Sequence, residues 1–253
     1  MPIEHIRNDS VFPKGFERTL TILSQREPVK EVKLHLLLSQ PRTGSTLVSD
    51  YITKTGDLGW CDEWLNPVWI DLVAKKTGTS DLSKNLKWTL RHAASPDGSA
   101  AINIQLPQLL HWAKKQNPLP ALPSRLIYLT RNNRLEQAFS LAKARSTKIF
   151  QQVTPVKEQP SVQVSNLSIA TALRDICYWH EIAEKFLMDR QCLRMSYEAF
   201  SNNPMAINEV LKFFGSTRDI DSLPKSNLSK QQSPQDVDNL RRFCSEMGFE
   251  ALL

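Results

Sequence analysis

Glycine is scarce in this chain, with 8 residues among 253, roughly half the usual share. A chain that uses so little glycine keeps it for positions that need it. Gly56, Gly215 and Gly248 read as helix C-caps, and Gly44 as part of a tight loop. The four cysteines (Cys61, Cys177, Cys192 and Cys244) lie far apart with no CxxC spacing. That argues against a zinc ribbon and a disulfide scaffold and makes buried, reduced thiols the expectation. His35, His92, His111 and His180 show no metal-ligand spacing, and His35, inside an apolar run, reads as a hydrogen-bonded structural residue. No metal is expected. No stretch approaches membrane-spanning length, and the opening Met-Pro-Ile-Glu-His-Ile-Arg has no apolar signal core, so a cytoplasmic enzyme is the simplest inference. Acidic residues are in mild deficit, 26 against 32 Lys and Arg, a net +6. Without any dense basic block this argues against a nucleic-acid arm. It suits an anionic ligand, and equally an ordinary enzyme surface.

What is present is an alternation of strand and helix signals. The chain is long enough to bury a full core, most simply as one domain over 1–253, with residues 1–30 (Pro13, Pro28) as an irregular lead-in. Leu34, Leu36, Leu37 and Leu38 read as a buried parallel strand. Ala100 to Gln105, Leu126 to Leu129 and Cys192 to Tyr197 read as three more. Between them fall helical faces such as Leu47, Val48, Tyr51 and Ile52, and Leu135, Ala138, Phe139 and Ala142. Tryptophan-rich helical stretches occupy 57–99, and further helices run near Leu109 to Trp112, over 168–188 and over 204–214. Ser233-Pro234 opens a terminal helix. Residues 151–166 read as a loop or lid, and 216–233 as a polar segment carrying Lys225 and Lys230. The pattern predicts an α/β fold, a three-layer sandwich with a central parallel sheet flanked by helices. Ligands in such folds sit at the carboxyl ends of strands. If the first and third strands are neighbours, Arg42 and Arg131 share one rim.

The most informative stretch is His35 to Leu47: a strand, then Gln40-Pro41-Arg42-Thr43-Gly44-Ser45-Thr46, then a helix. Backbone N–H groups at a new helix start make an anion cradle. A Walker A loop would carry lysine directly after its last glycine. Here Ser45 follows Gly44, and the base, Arg42, precedes it. No apolar strand ends in an obvious aspartate for Mg²⁺. A phosphate site is expected, but not the ATPase arrangement.

Pro41 to Leu47 resembles the 5′-phosphosulfate loop of sulfotransferases, and more closely the bacterial carbohydrate sulfotransferase family that includes trehalose 2-sulfotransferase. The resemblance continues through Thr55 to Pro67, with its glycine-containing turn followed by Glu63-Trp64. It is strongest over Leu129 to Leu141, similar to that family's LTRRDxxxQAxSL segment, and it extends to Arg194 to Phe200 followed by Pro204. The blocks run in family order from about residue 34 to 243. They imply a P-loop NTPase-like sulfotransferase fold and 3′-phosphoadenosine 5′-phosphosulfate (PAPS) as sulfuryl donor. They further imply a carbohydrate or glycolipid acceptor. Arg42 and the N–H groups of Thr43, Gly44, Ser45 and Thr46, with the three hydroxyls, would hold the 5′-phosphate. Arg131 and Ser140 match the pair used for the 3′-phosphate. Nine residues on one unbroken helix span about 13 Å, too far for one phosphate, unless Asn132-Asn133 bend the chain first. Glu63 is the implied base, with Asp62 its near neighbour and alternative. Trp60 and Trp64 flank Glu63 in sequence and would raise its proton affinity by desolvating it.

The chain departs from the family at three positions. Asn132 and Asn133 stand where arginine and aspartate are common, and Asn103 where a lysine is expected. Weaker donor binding, compensation by Arg134 or Lys230, or an altered activity would follow. The alternatives are a P-loop kinase or nucleotide-binding protein, and a degenerate, non-catalytic family member. Trp60, Trp64 and Trp69 fit sugar stacking and core packing equally. The segments around Leu72 and Trp88 read as amphipathic, which allows a homodimer.

Overall fold

The computed structural model describes residues 12–115, 123–150, 163–217 and 234–249. Strands β1 (Lys33–Ser39), β2 (Ser99–Gln105), β3 (Arg125–Thr130) and β4 (Leu193–Ser196) form one sheet in the order β2-β1-β3-β4. Every pairing is parallel; Ser39 stands opposite Gln105 on one side and Leu129 on the other. The helices are α1 (Phe12–Ser24), α2 (Ser45–Thr55), α3 (Pro67–Thr77), α4 (Leu82–Ala93) and α5 (Leu106–Lys114). They continue as α6 (Arg134–Thr147), α7 (Asn166–Leu187), α8 (Tyr197–Asn202), α9 (Ile207–Phe214) and α10 (Pro234–Met247). The expected α/β architecture with an all-parallel sheet is what the chain adopts.

A parallel strand covered on both faces reads as continuous apolar sequence, and β1 is buried from Leu34 to Ser39. Alternate residues supply two cores. Leu34, Leu36, Leu38, Ile102 and Tyr128 pack with Trp64, Trp69, Leu90 and Trp112 on one face. Leu37, Ala101, Ile127 and Leu129 meet Val48, Ile52, Val210 and Phe214 on the other. A third cluster, with Phe139, Ile169, Ile176 and Phe243, joins α6, α7 and α10. Trp64 and Trp69, each 1% exposed with ring centroids 4.6 Å apart, belong to the core. Core packing therefore decides their role over sugar stacking. Leu72 and Trp88 are half-buried against the same cluster.

Some local expectations need correction. Residues 12–24 are not irregular: Phe16 and Leu23 are buried on one face of a helix. Pro13 lies in the first turn, where its missing N–H breaks no helical hydrogen bond. Tyr197 opens α8 instead of ending β4, and Pro204 starts a 3₁₀ turn, Pro204–Ala206, ahead of α9. Cys61 and Cys244 are buried as expected, but Cys177 is exposed and Cys192 half-buried. Lys225, Lys230 and residues 151–162 of the expected lid lie outside the described residues. Among those described, no helix is long and apolar enough to cross a membrane.

The connection between α2 and α3 places two acidic residues. Residues 58–62 run along the outer edge of β2, with the Ala101 N–H donating to Leu58 O (2.9 Å) and the Asn103 N–H to Asp62 O (3.1 Å). Covering that sheet edge delivers Asp62 and Glu63 to the carboxyl end of β2.

Candidate active site

The chain passes from β1 outward to β2, then returns across β1 to β3, so the strand order reverses between β1 and β3. Such a switch point opens a crevice beyond the strand ends. The loops leaving β1 and β3 both lie there and carry Arg42 and Arg131.

The first loop is shaped by two left-handed residues, Arg42 (φ 68°) and Gly44 (φ 77°). For arginine that conformation costs about 1–2 kcal/mol. At Gly44 a Cβ would lie 2.7 Å from Tyr197 Cδ2 and 2.8 Å from Phe200 Cζ, so α8 also needs a bare backbone there. As N-cap of α2, Gly44 brings no side chain to the first-turn N–H groups, which leaves that helix end suited to an anion. The Thr43 hydroxyl turns inward and donates to Gln40 O (2.8 Å). Ser45 is buried and Thr46 half-buried.

Arg42 Nε donates to Ser140 Oγ at 2.9 Å, and Nη1 donates to Phe150 O. Arg131 Nη1 donates to Arg42 O (3.5 Å), and Nη2 pairs with Glu136 Oε2 (2.5 Å). Its guanidinium lies 4.9 Å from the centroid of the Tyr197 ring. Among the described residues, the buried Arg131 Nε has no hydrogen-bond partner and lies 4.0 Å from Glu198 Oε1. Arg131 precedes the helix, because Asn133 caps α6 by accepting from Glu136 N (3.0 Å). Arg42 therefore contacts both residues, Arg131 through its backbone carbonyl and Ser140 through its side chain. Burial and the neighbouring Arg131 lower the Arg42 pKa to about 10, while Glu63 pulls it back up.

Glu63 is 6% exposed. Gln105 Nε2 donates to its Oε1 and Gln108 Nε2 to its Oε2, each at 2.7 Å. Burial first, then the Asp62 charge, pushes the Glu63 carboxyl up to about 7; hydrogen bonds from Gln108, Gln105 and Asn66 oppose the rise. Asp62 is half-buried, accepts the Glu63 N–H at 2.8 Å and is raised by burial to about 6.

The positions that depart from the family pattern have structural partners. Asn103, 1% exposed, accepts from Ser39 Oγ at 3.0 Å. The backbone N–H groups of Asn132 and Asn133 donate to the Glu198 carboxylate at 3.0 and 3.3 Å.

Sequence reasoning missed the amides around this rim. Gln137 Nε2 donates to Pro41 O (2.8 Å) and Gln40 Oε1 (3.4 Å). Gln40 Nε2 in turn donates to Tyr128 Oη (2.9 Å), which meets His180 Nδ1 at 3.0 Å. A pocket of about 270 Å³ opens here, lined by Gln40, Thr130, Arg131, Arg134, Gln137 and His180. The available signal for Gln105 and Gln108 was polar-x-x-Gln spacing at a strand-to-helix junction, the form of a capping box.

No family model matches the sequence, and no curated protein matches it. Among solved structures the chain is similar to a sulfotransferase from Alicyclobacillus acidocaldarius, with a TM-score of 0.48 and 12% identity over 88% of this chain and 96% of that one.

Proposed function

We propose that this chain is a sulfotransferase that moves a sulfuryl group from PAPS to a hydroxyl of a carbohydrate or glycolipid by in-line transfer. The reading is carried by one observation: at the crevice between β1 and β3, Arg42 contacts Arg131 through its backbone carbonyl and Ser140 through its Nε.

The residues present suit a doubly anionic nucleotide. Arg131 lies near enough to Arg42 for its charge to act there, and its buried Nε has no hydrogen-bond partner among the described residues, an arrangement that an anion would stabilise. Arg42 and the first turn of α2 would hold the 5′-phosphate end, exchanging the Arg42 bond to Ser140 for one to phosphate. Arg131 and Ser140 would hold the 3′-phosphate. When bound, the donor supplies the sulfuryl group and an adenosine bisphosphate leaving group. Sulfuryl transfer, like phosphoryl transfer, asks the protein for positioning and charge stabilisation more than for covalent chemistry. Arg42 would stabilise the charge developing on the leaving oxygen. Glu63, with a pKa of about 7, would accept the acceptor hydroxyl proton near neutral pH.

Thermal unfolding with 3′,5′-adenosine bisphosphate, with ATP and Mg²⁺, and with buffer alone tests the ligand class. At a hundredfold excess over Kd the bisphosphate should add about 2.7 kcal/mol of stability. Stabilisation by ATP and Mg²⁺ alone would favour a kinase and overturn the reading. Glu63→Gln should lower transfer by about 10²–10⁴-fold and leave bisphosphate affinity nearly unchanged. Bisphosphate binding without transfer to any sugar hydroxyl would instead mark a non-catalytic binder.

A further inference from the structure

Glu63 sits in a cage of donors that the proposed transfer step does not by itself explain. Gln105 ends β2 and is the N-cap of α5, and Gln108 follows one turn later. The Gln105 N–H donates to Gln108 Oε1 at 3.2 Å. That bond fixes which end of the Gln108 amide points where: the oxygen is taken by backbone, so the NH₂ group must face the carboxylate. Gln105 reaches the other carboxylate oxygen from the same helix start. An NH₂ group can only donate, so both contacts favour the charged carboxylate over the protonated acid.

We propose that Gln105 and Gln108 are positioning residues that clamp both oxygens of Glu63 and keep it a proton acceptor, an inference that rests on Glu63 being the base. Two opposing influences make the clamp necessary. The carboxylate is buried, and Asp62 beside it repels a second negative charge. The Glu63 charge in turn supports the guanidinium of Arg42, on the loop after β1. Without the two amides, burial and Asp62 would leave the group protonated at neutral pH, unable to take a proton from the acceptor.

The test uses the full chain and compares wild type with Gln108→Leu and the isosteric Gln108→Glu. Two quantities are measured: kcat against pH, and the ¹³C titration of the Glu63 carboxyl, its signal assigned by its loss in Glu63→Gln. In Gln108→Leu the acidic limb should move up by about one pH unit, lowering kcat about tenfold near pH 6 and restoring it near pH 9, with KM for the donor unchanged. Gln108→Glu keeps an acceptor for the Gln105 N–H but replaces the donor facing Glu63, so its shift should be larger. Equal loss at every pH, or an unmoved carboxyl titration, would overturn the proposal. A carboxyl titration that moves under an unmoved kcat profile upholds the clamp and overturns Glu63 as base. Should Gln108→Leu fail to fold, Gln105→Leu at its half-buried position reads the same shift.

Discussion

The two ends of β1 treat buried polar groups in opposite ways. At the carboxyl end Ser39, Gln40 and Thr43 are buried, and each is hydrogen-bonded, to Asn103, Tyr128 and Gln40 O respectively. Near the amino end His35 is equally buried, yet neither ring nitrogen has a hydrogen-bond partner among the described residues. It packs instead against Phe214, ring centroids 5.2 Å apart, which overturns the expectation of a hydrogen-bonded histidine. An unpaired buried polar group costs stability, whereas a satisfied network fixes geometry. The strand concentrates its polar bonding at the end where loops must be held to a shape, and tolerates a bare imidazole at the end that carries no loop of the site.

The largest predicted effect belongs to the bare end. Burial, then Lys33, then Arg125 push the His35 pKa down to about 4 from its ordinary 6.5, with Asp97 opposing. The imidazole is neutral in the fold, so below pH 6.5 the unfolded chain binds a proton that the fold refuses. Stability is therefore lost as pH falls from about 6.5 toward 4, by roughly 3 kcal/mol from this residue. Glu63 and Asp62 have raised values and run the other way, losing stability as pH rises from about 4 to 7. The difference between wild type and His35→Leu isolates the histidine. Urea unfolding at several pH values should show the two curves separating on acidification, and parallel curves would break the contrast.

At the bonded end, Gly44→Ala should cost about 2–3 kcal/mol, from a left-handed alanine and its collision with Tyr197 and Phe200. Bisphosphate affinity should fall with it; an unchanged unfolding midpoint would mean that α8 yields easily. Tyr128→Phe should be milder, about 1–2 kcal/mol, because it strips an acceptor from Gln40 and a partner from His180 but leaves the ring in place. Calorimetry on the variant sharpens the comparison. A cost near zero would show that the amide network tolerates a missing member as readily as β1 tolerates His35.

Much of the scaffold could be read from composition and order alone. A parallel strand buried on both faces must be nearly all apolar, so Leu34 to Leu38 announced itself, as did the helix faces at Val48/Ile52 and Ala138/Phe139. The α1 helix escaped because its apolar residues are diluted by polar ones and by Pro13. Its burial depends on α3 and α4, which come much later in the chain. Trp64 and Trp69 were ambiguous for a related reason: their spacing is compatible with a surface or a core, and only packing against β1 and α4 assigns them.

Local chemistry thus dictated the strand–loop–helix unit around Arg42, its glycine and its missing lysine, because backbone conformation and helix ends depend on neighbours a few residues away. What only the tertiary structure decided was company. Parallel pairing of β1 with β3 brought Arg131 to Arg42, the edge segment along β2 carried Glu63 to the amides of Gln105 and Gln108, and the sheet enclosed His35 with no hydrogen-bond partner among the described residues. Those encounters join residues far apart in the chain, and they are set by burial and strand order, quantities that belong to the assembled fold and not to any short stretch of sequence.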